Sequence, residues 1–171
     1  DQMNKNQVQQ QLEKMAMSNQ DLKKELERTL DLFKQMEFQQ KLTQNIQRLD
    51  SLSKKQEQLS QATKNKSAPD NQLQKQQDSL NSEFKDVSKN LEDLQKKNEQ
   101  LDEPTGYKAP QQQEQNVQQQ MQKSSQQLSQ GKNSKASQSQ QSAAQQMQQM
   151  ASSLSKFQAQ EQAQQEEVDE N

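Results

Sequence analysis

The sequence predicts an all-α protein whose long helices fold back on one another as antiparallel hairpins, forming an elongated, coiled-coil-like bundle of three to four helices. Only 25% of the 171 residues are hydrophobic and 3% are aromatic, too few for a thick core around buried strands. Gly (2) and Pro (3) are scarce, and the β-branched residues that favour strands are rare. The few apolar residues recur at steps of three and four, which is the spacing of one helix face.

The first helix is predicted over residues 1–67, because neither Gly nor Pro occurs in this range. Its apolar stripe begins at Val8, Leu12, Met15 and Leu22. We expect roughly the first 20 residues to overhang without a partner inside the chain, since the later helices are too short to cover them. These four residues are therefore the candidate interaction surface.

A dense apolar stretch follows within the same helix, at residues 30–38. Leu30, Leu32, Phe33, Met36 and Phe38 are five apolar residues in nine, and one narrow stripe does not accommodate them all. We expect this stretch to be where the returning helices meet, with the single Tyr of the chain, in a later loop, docked against it.

The second helix, predicted over residues 70–102, has the most regular pattern in the chain. Pro69 suits the start of this helix, because proline is tolerated in the first turn. The apolar and amide positions then follow 4-3-4-3 spacing over four heptads, as a coiled-coil seam does: Leu73, Gln77, Leu80, Phe84, Val87, Leu91, Leu94, Asn98 and Leu101.

The remainder is predicted as a loop over 103–110, a third helix over 111–130, a turn over 131–134 and a fourth helix over 135–168. Pro104 and Gly106 mark the loop, and Gly131 is placed to end a helix. If the chain turns at Gly131, four helices alternate in direction. The alternative is that the third helix continues past this glycine.

The composition disfavours several functions. The net charge is −2, from 22 basic and 24 acidic residues, which provides no field for a nucleic acid. Without Cys or His, we expect no catalytic residue, no cofactor and no metal site; the acidic end near Glu166 lacks the spacing of a calcium loop. No apolar run is long enough for membrane insertion by this segment, and no small-molecule substrate is indicated. The redox compartment stays open.

Two stretches resemble a known family. The first is the run from Leu26 to Phe38, and the second is the run from Met121 to Leu128, with Gly131 and the residues 135–147 that follow. Both are similar to the central helical region of a family of large, membrane-anchored bacterial envelope proteins that carries a domain of unknown function. The resemblance implies a segment of a longer protein on the periplasmic, extracytoplasmic side of the inner membrane, with a cytoplasmic location as the alternative. It implies no catalytic residues.

The sequence therefore favours a non-catalytic structural or protein–protein interaction module of a cell-envelope protein, with a protein partner or self-association. One alternative is a regulatory or ligand-binding helical segment of a larger envelope enzyme whose active domain lies outside this chain. Another is a segment that folds only on binding its partner.

Overall fold

The computed structural model describes residues 2–170, with side chains from Asn4 onward, and confirms the predicted all-α helical bundle. Its helices are α1 (Gln2–Asn65), α2 (Asp70–Glu99), α3 (Gln111–Ser129) and α4 (Asn133–Asp169). The chain divides into two compact units, Asp1–Glu37 and Phe38–Asn171. α1 contributes residues to both units.

The first unit contains the N-terminal part of α1. From Asn4 to Glu37 its side chains are exposed, except for the partly buried Asp31 and Gln35. Gln35 donates a hydrogen bond to the Asp31 carboxylate at 2.8 Å, one turn earlier in the helix.

The second unit is a four-helix bundle made by the rest of α1 with α2, α3 and α4. In α1 eight buried positions follow 4-3 spacing, and they include polar members: Phe38, Leu42, Asn45, Leu49, Leu52, Gln56, Leu59 and Thr63. Ser53 and Ser60 are buried beside this seam. Every residue of the predicted α2 seam is also buried, from Leu73 to Leu101. The heptad pattern therefore identifies the core face of α2 correctly.

Small residues bring α1 and α4 close together. The Ser53 hydroxyl donates to the Ala144 carbonyl at 2.9 Å. Two helical turns further along α1, the Ser60 hydroxyl donates to the Ser137 carbonyl at 2.9 Å, and the Ser137 hydroxyl donates to the Ser60 carbonyl at 3.0 Å. A side chain as short as serine reaches a backbone carbonyl of a neighbouring helix only when the two backbones approach closely.

The chain turns after α3, because two consecutive backbone bonds close that helix around a glycine in the left-handed conformation. Gly131 has φ +71°, its N–H donates to Leu128, and the Lys132 N–H donates to Gln127. This is the Schellman arrangement. α1 ends in the same way, but its left-handed residue is Lys66, with φ 50°.

The loop between α2 and α3 is held by side chains. Asn98 donates through Nδ2 to the Thr105 carbonyl at 3.0 Å and accepts from the Thr105 N–H at 2.8 Å. Tyr107 is buried, donates its hydroxyl to the Leu91 carbonyl at 2.8 Å, and packs edge-on against Phe38 at 5.5 Å between ring centroids. The loop is therefore fixed to the core rather than free.

The prediction that the stretch 30–38 is buried under returning helices is wrong for most of its residues. Only Phe38 is buried, whereas Leu30, Leu32, Phe33 and Met36 are all more than half exposed. The reason is that Phe38 continues the spacing of the buried α1 residues that follow it, and Leu30, Phe33 and Met36 do not share that spacing.

Candidate interaction surface on the first helix

The four predicted interaction residues lie on one exposed face of the first unit. Val8, Leu12, Met15 and Leu22 are between 55% and 63% exposed. Exposed fractions this high are unusual for large apolar side chains that recur along one helix, because each would gain free energy from burial.

The apolar face is longer than the sequence analysis proposed. A 4-3 spacing runs without interruption over four heptads, and we call its nine positions the N-terminal seam: Val8, Leu12, Met15, Asn19, Leu22, Leu26, Thr29, Phe33 and Met36. Its seven apolar members are 55–66% exposed. The predicted surface ends at Leu22 because the apolar stretch at residues 30–38 is expected to meet the returning helices.

The N-terminal seam is distinct in spacing from the core seam of the bundle. The N-terminal seam ends at Met36 and the core seam begins at Phe38, a step of two residues that breaks the alternation of three-residue and four-residue steps. The two apolar patterns are therefore out of phase along α1, and the hydrophobic core of the bundle contains none of the residues of the N-terminal seam.

Two polar residues interrupt the N-terminal seam. When the seam is numbered as a heptad with Leu12, Leu26 and Phe33 at a positions, Asn19 is also at an a position and Thr29 is at a d position. A single Asn at an a position is known to set register and the number of strands in a coiled coil. The position of Asn19 in the heptad can be identified from the spacing of the apolar residues alone.

The charges around the seam are balanced. Between residues 4 and 37 the chain has six basic and six acidic side chains. At the positions that flank the seam most closely, Lys23 is an e residue, Glu25 is a g residue, and Leu30 and Leu32 extend the apolar face. A surface of this kind does not repel a second copy of itself.

A second distinctive feature is a layer of buried glutamines inside the bundle. Gln56, Gln77 and Gln140 are each 0% exposed. Gln56 and Gln77 each donate a hydrogen bond of 2.8 Å from Nε2 to Oε1 of the other side chain. The Gln140 Nε2 atom donates to Gln77 Oε1 at 3.0 Å. The layer joins three helices through primary amides, which neither titrate nor act as nucleophiles, so it serves packing specificity.

The third feature is a buried carboxylate near the α2–α3 loop. Glu114 is 3% exposed, and its Oε1 atom has no hydrogen-bond partner. Burial, followed by the charge of Glu92, raises the pKa of Glu114 to about 7. Burial and then the Glu114 charge likewise raise the pKa of the Tyr107 hydroxyl above its usual range.

Sequence reasoning missed Glu114, because it lies in a Gln-rich stretch and matches the stripe that begins at Val117 only when extended one turn backwards. The carboxyl group is enclosed by the packed helices, and the depression beside Lys41 and Arg48, between α1 and α2, does not include it. The protonation state of Glu114 therefore affects the stability of the bundle.

Within residues 2–170, no helix has an apolar stretch of the length that crossing a membrane requires. Over the same part of the chain, no group of acidic side chains is arranged to hold a metal ion. Comparison with protein-family models, with characterised proteins and with solved structures finds no match for this chain.

Proposed function

We propose that this chain is a non-catalytic structural and protein–protein interaction module, and that it binds through the N-terminal seam. The observation that carries this proposal is the exposure of the seam: seven large apolar side chains at heptad spacing are each more than half exposed. Monomeric soluble proteins rarely leave a contiguous apolar face of this length uncovered.

The energetics support binding over a purely solvated helix. Full burial of one Leu, Val, Phe or Met side chain is worth about 1.5–3 kcal/mol. Half of that at seven positions is about 5–10 kcal/mol, comparable to the roughly 4–8 kcal/mol of a millimolar-to-micromolar complex before the costs of association are subtracted. The bundle meanwhile supplies a folded body that holds the end of the same helix.

The non-catalytic part of the proposal rests on chemistry. The chain has no His and no Cys, which removes the commonest bases and the thiol nucleophile. The two strongly perturbed groups, Tyr107 and Glu114, are enclosed in the bundle.

The family resemblance of the two stretches at residues 26–38 and 121–147 supports a location in the bacterial cell envelope, as a segment of a membrane-anchored protein facing the periplasm. Protease treatment of spheroplasts, followed by detection with an antibody to this segment, tests the location. We expect cleavage of the segment in spheroplasts and not in intact cells, whose outer membrane excludes the protease. Protection until the inner membrane is lysed would place the segment in the cytoplasm.

The binding proposal is tested with two charged double variants of the whole chain. Leu12→Asp with Leu22→Asp places charges in the seam. Gln10→Asp with Met17→Asp adds the same charge on the same helix, and Met17 is an equally exposed apolar residue outside the seam. Pull-down and crosslinking should lose at least one bound protein, a copy of this chain included, with the first variant only. Identical results for both variants would contradict the proposal.

A further inference from the structure

We propose that the partner of the N-terminal seam is a second copy of this chain, bound in parallel and in register as a two-stranded coiled coil over residues 8–36. This inference rests on the proposed function and names the partner and its geometry. It follows from the spacing, polar content, flanking charges and area of the seam.

The spacing is that of a self-complementary surface. A left-handed two-stranded coiled coil requires apolar residues at alternating steps of three and four, sustained over three to four heptads. The seam meets this condition from Val8 to Met36, a length of about 42 Å along a helix. A partner helix needs the same repeat, and the one sequence known to have it here is the chain itself.

Asn19 selects the partner and the register. Its side chain is both a donor and an acceptor, so two Asn19 residues that face each other across a parallel coiled coil satisfy one another. Against an apolar surface, or against a copy shifted by one heptad, the amide would be buried without a partner, which is unfavourable. One Asn at an a position specifies in-register parallel dimers in this manner.

The flanking charges exclude the best antiparallel arrangement. That arrangement sets Asn19 of one copy opposite Thr29 of the other, and it is the one register that pairs the two polar residues of the seam. It also brings the two Glu25 side chains together, and the two Lys23 side chains together, near the centre of the interface. In the parallel arrangement Lys23 faces Ser18 and Glu25 faces Leu30, so like charges do not meet.

The area is sufficient. The seven apolar seam residues, with Leu30 and Leu32 at its edges, are all more than half exposed. At roughly 100 Å² for each exposed side chain, they offer about 900 Å² per copy, compared with the approximately 800 Å² per partner of a standard stable interface. The balanced charge of this unit adds no long-range repulsion between copies.

Sedimentation equilibrium of the whole chain tests whether it dimerises. We expect a monomer–dimer equilibrium at micromolar concentration, weakened at least about 100-fold by Leu12→Asp with Leu22→Asp. The control, Gln10→Asp with Met17→Asp, should leave it unchanged. Circular dichroism of the variants, recorded on the same samples, establishes that the bundle remains helical in each.

Single cysteines test the orientation, since the chain has none of its own. Met15→Cys should form a disulfide-linked dimer with itself under mild oxidation, because equivalent core positions of a parallel pair lie within disulfide reach. Gln10→Cys, on the outer face, should not. Asn19→Leu should associate at least as tightly but as a mixture of oligomers or orientations.

Each outcome decides the matter. A chain that stays monomeric at 100 µM, or a dimer that is unaffected by the charges at Leu12 and Leu22, would overturn the inference. A Met15→Cys variant that crosslinks with Phe33→Cys and not with itself would overturn the parallel arrangement. A monomer that still captures another protein through the seam would refute the second copy and leave the proposed function intact.

Discussion

Replacing Glu114 by Gln should change how the stability of the bundle depends on pH. Glu114 is almost fully buried, and its pKa is raised from 4.5 to about 7 in the folded chain. Between these two values the folded chain binds more protons at this site than the unfolded chain does. The free energy of unfolding therefore falls as pH rises through this window, and it levels off above it.

The magnitude follows from the same two pKa values. One pH unit of difference corresponds to about 1.4 kcal/mol, so the full loss between pH 4.5 and pH 8 is at most about 3 kcal/mol. Local relaxation and water entry around the charged carboxylate reduce it, and we expect about 1–3 kcal/mol. Gln has the same shape and carries no charge at any pH, so the variant avoids this loss.

Urea unfolding, followed by helical circular dichroism at pH 4.5, 6 and 8, measures the effect. Glu114→Gln and the unmodified chain should have similar stability at pH 4.5, and the variant should become progressively more stable relative to it up to pH 8. Glu92→Gln should give part of the effect, because the Glu92 charge contributes to the raised pKa. Glu99→Gln, at an exposed site on the same helix as Glu92, is the matched control.

The reasoning would be refuted by a stability difference between Glu114→Gln and the unmodified chain that is the same at all three pH values. It would also be refuted by a difference of the opposite sign, in which the unmodified chain gains stability over the variant as pH rises. Either result would mean that the carboxylate is solvated in the folded chain.

Two further predictions concern helix ends and the glutamine layer, both measured by urea unfolding at pH 7. Lys66→Gly should stabilise the bundle by about 1 kcal/mol and Gly131→Ala should destabilise it by about 1 kcal/mol, because both positions have a left-handed backbone; effects of the same sign would contradict this. Gln77→Leu should cost about 2–4 kcal/mol by leaving the amides of Gln56 and Gln140 unpaired. Replacing all three by Leu should recover most of that loss, and a triple variant less stable than the single one would show that the layer is net stabilising.

The helices of the bundle could be predicted because their core positions keep strict heptad spacing. The pattern that begins at Leu73 in α2 and ends at Leu101, just after it, consists of buried residues throughout, including the amides Gln77 and Asn98. Within α2, Ser88 is the buried residue that it misses. The turn at Gly131 could also be predicted, because its cause is local: a glycine takes the positive φ of this position without strain.

What the sequence did not reveal depends on contacts between distant residues. Gln56 and Gln140 lie at the heptad spacing of their helices, but spacing does not show that both amides meet Gln77 across the bundle. Glu114 lies one turn before Val117 on the buried face of α3, and a charged residue type gives no sign of burial at that position. The burial of the stretch 30–38 was predicted wrongly because the density of apolar residues does not say which of them face the bundle. The two-residue step from Met36 to Phe38 marks where one heptad pattern ends and the next begins.

Hydrogen exchange of the whole chain at two protein concentrations, about 1 µM and 100 µM, tests the central claim most directly. Amides of residues 38–154 belong to a bundle with its own core, so their protection should be the same at both concentrations. Amides of residues 8–36 lie in a helix without a packed core, so their protection should rise with concentration as the N-terminal seam is covered by a second copy. Protection of residues 8–36 that is independent of concentration would contradict the account.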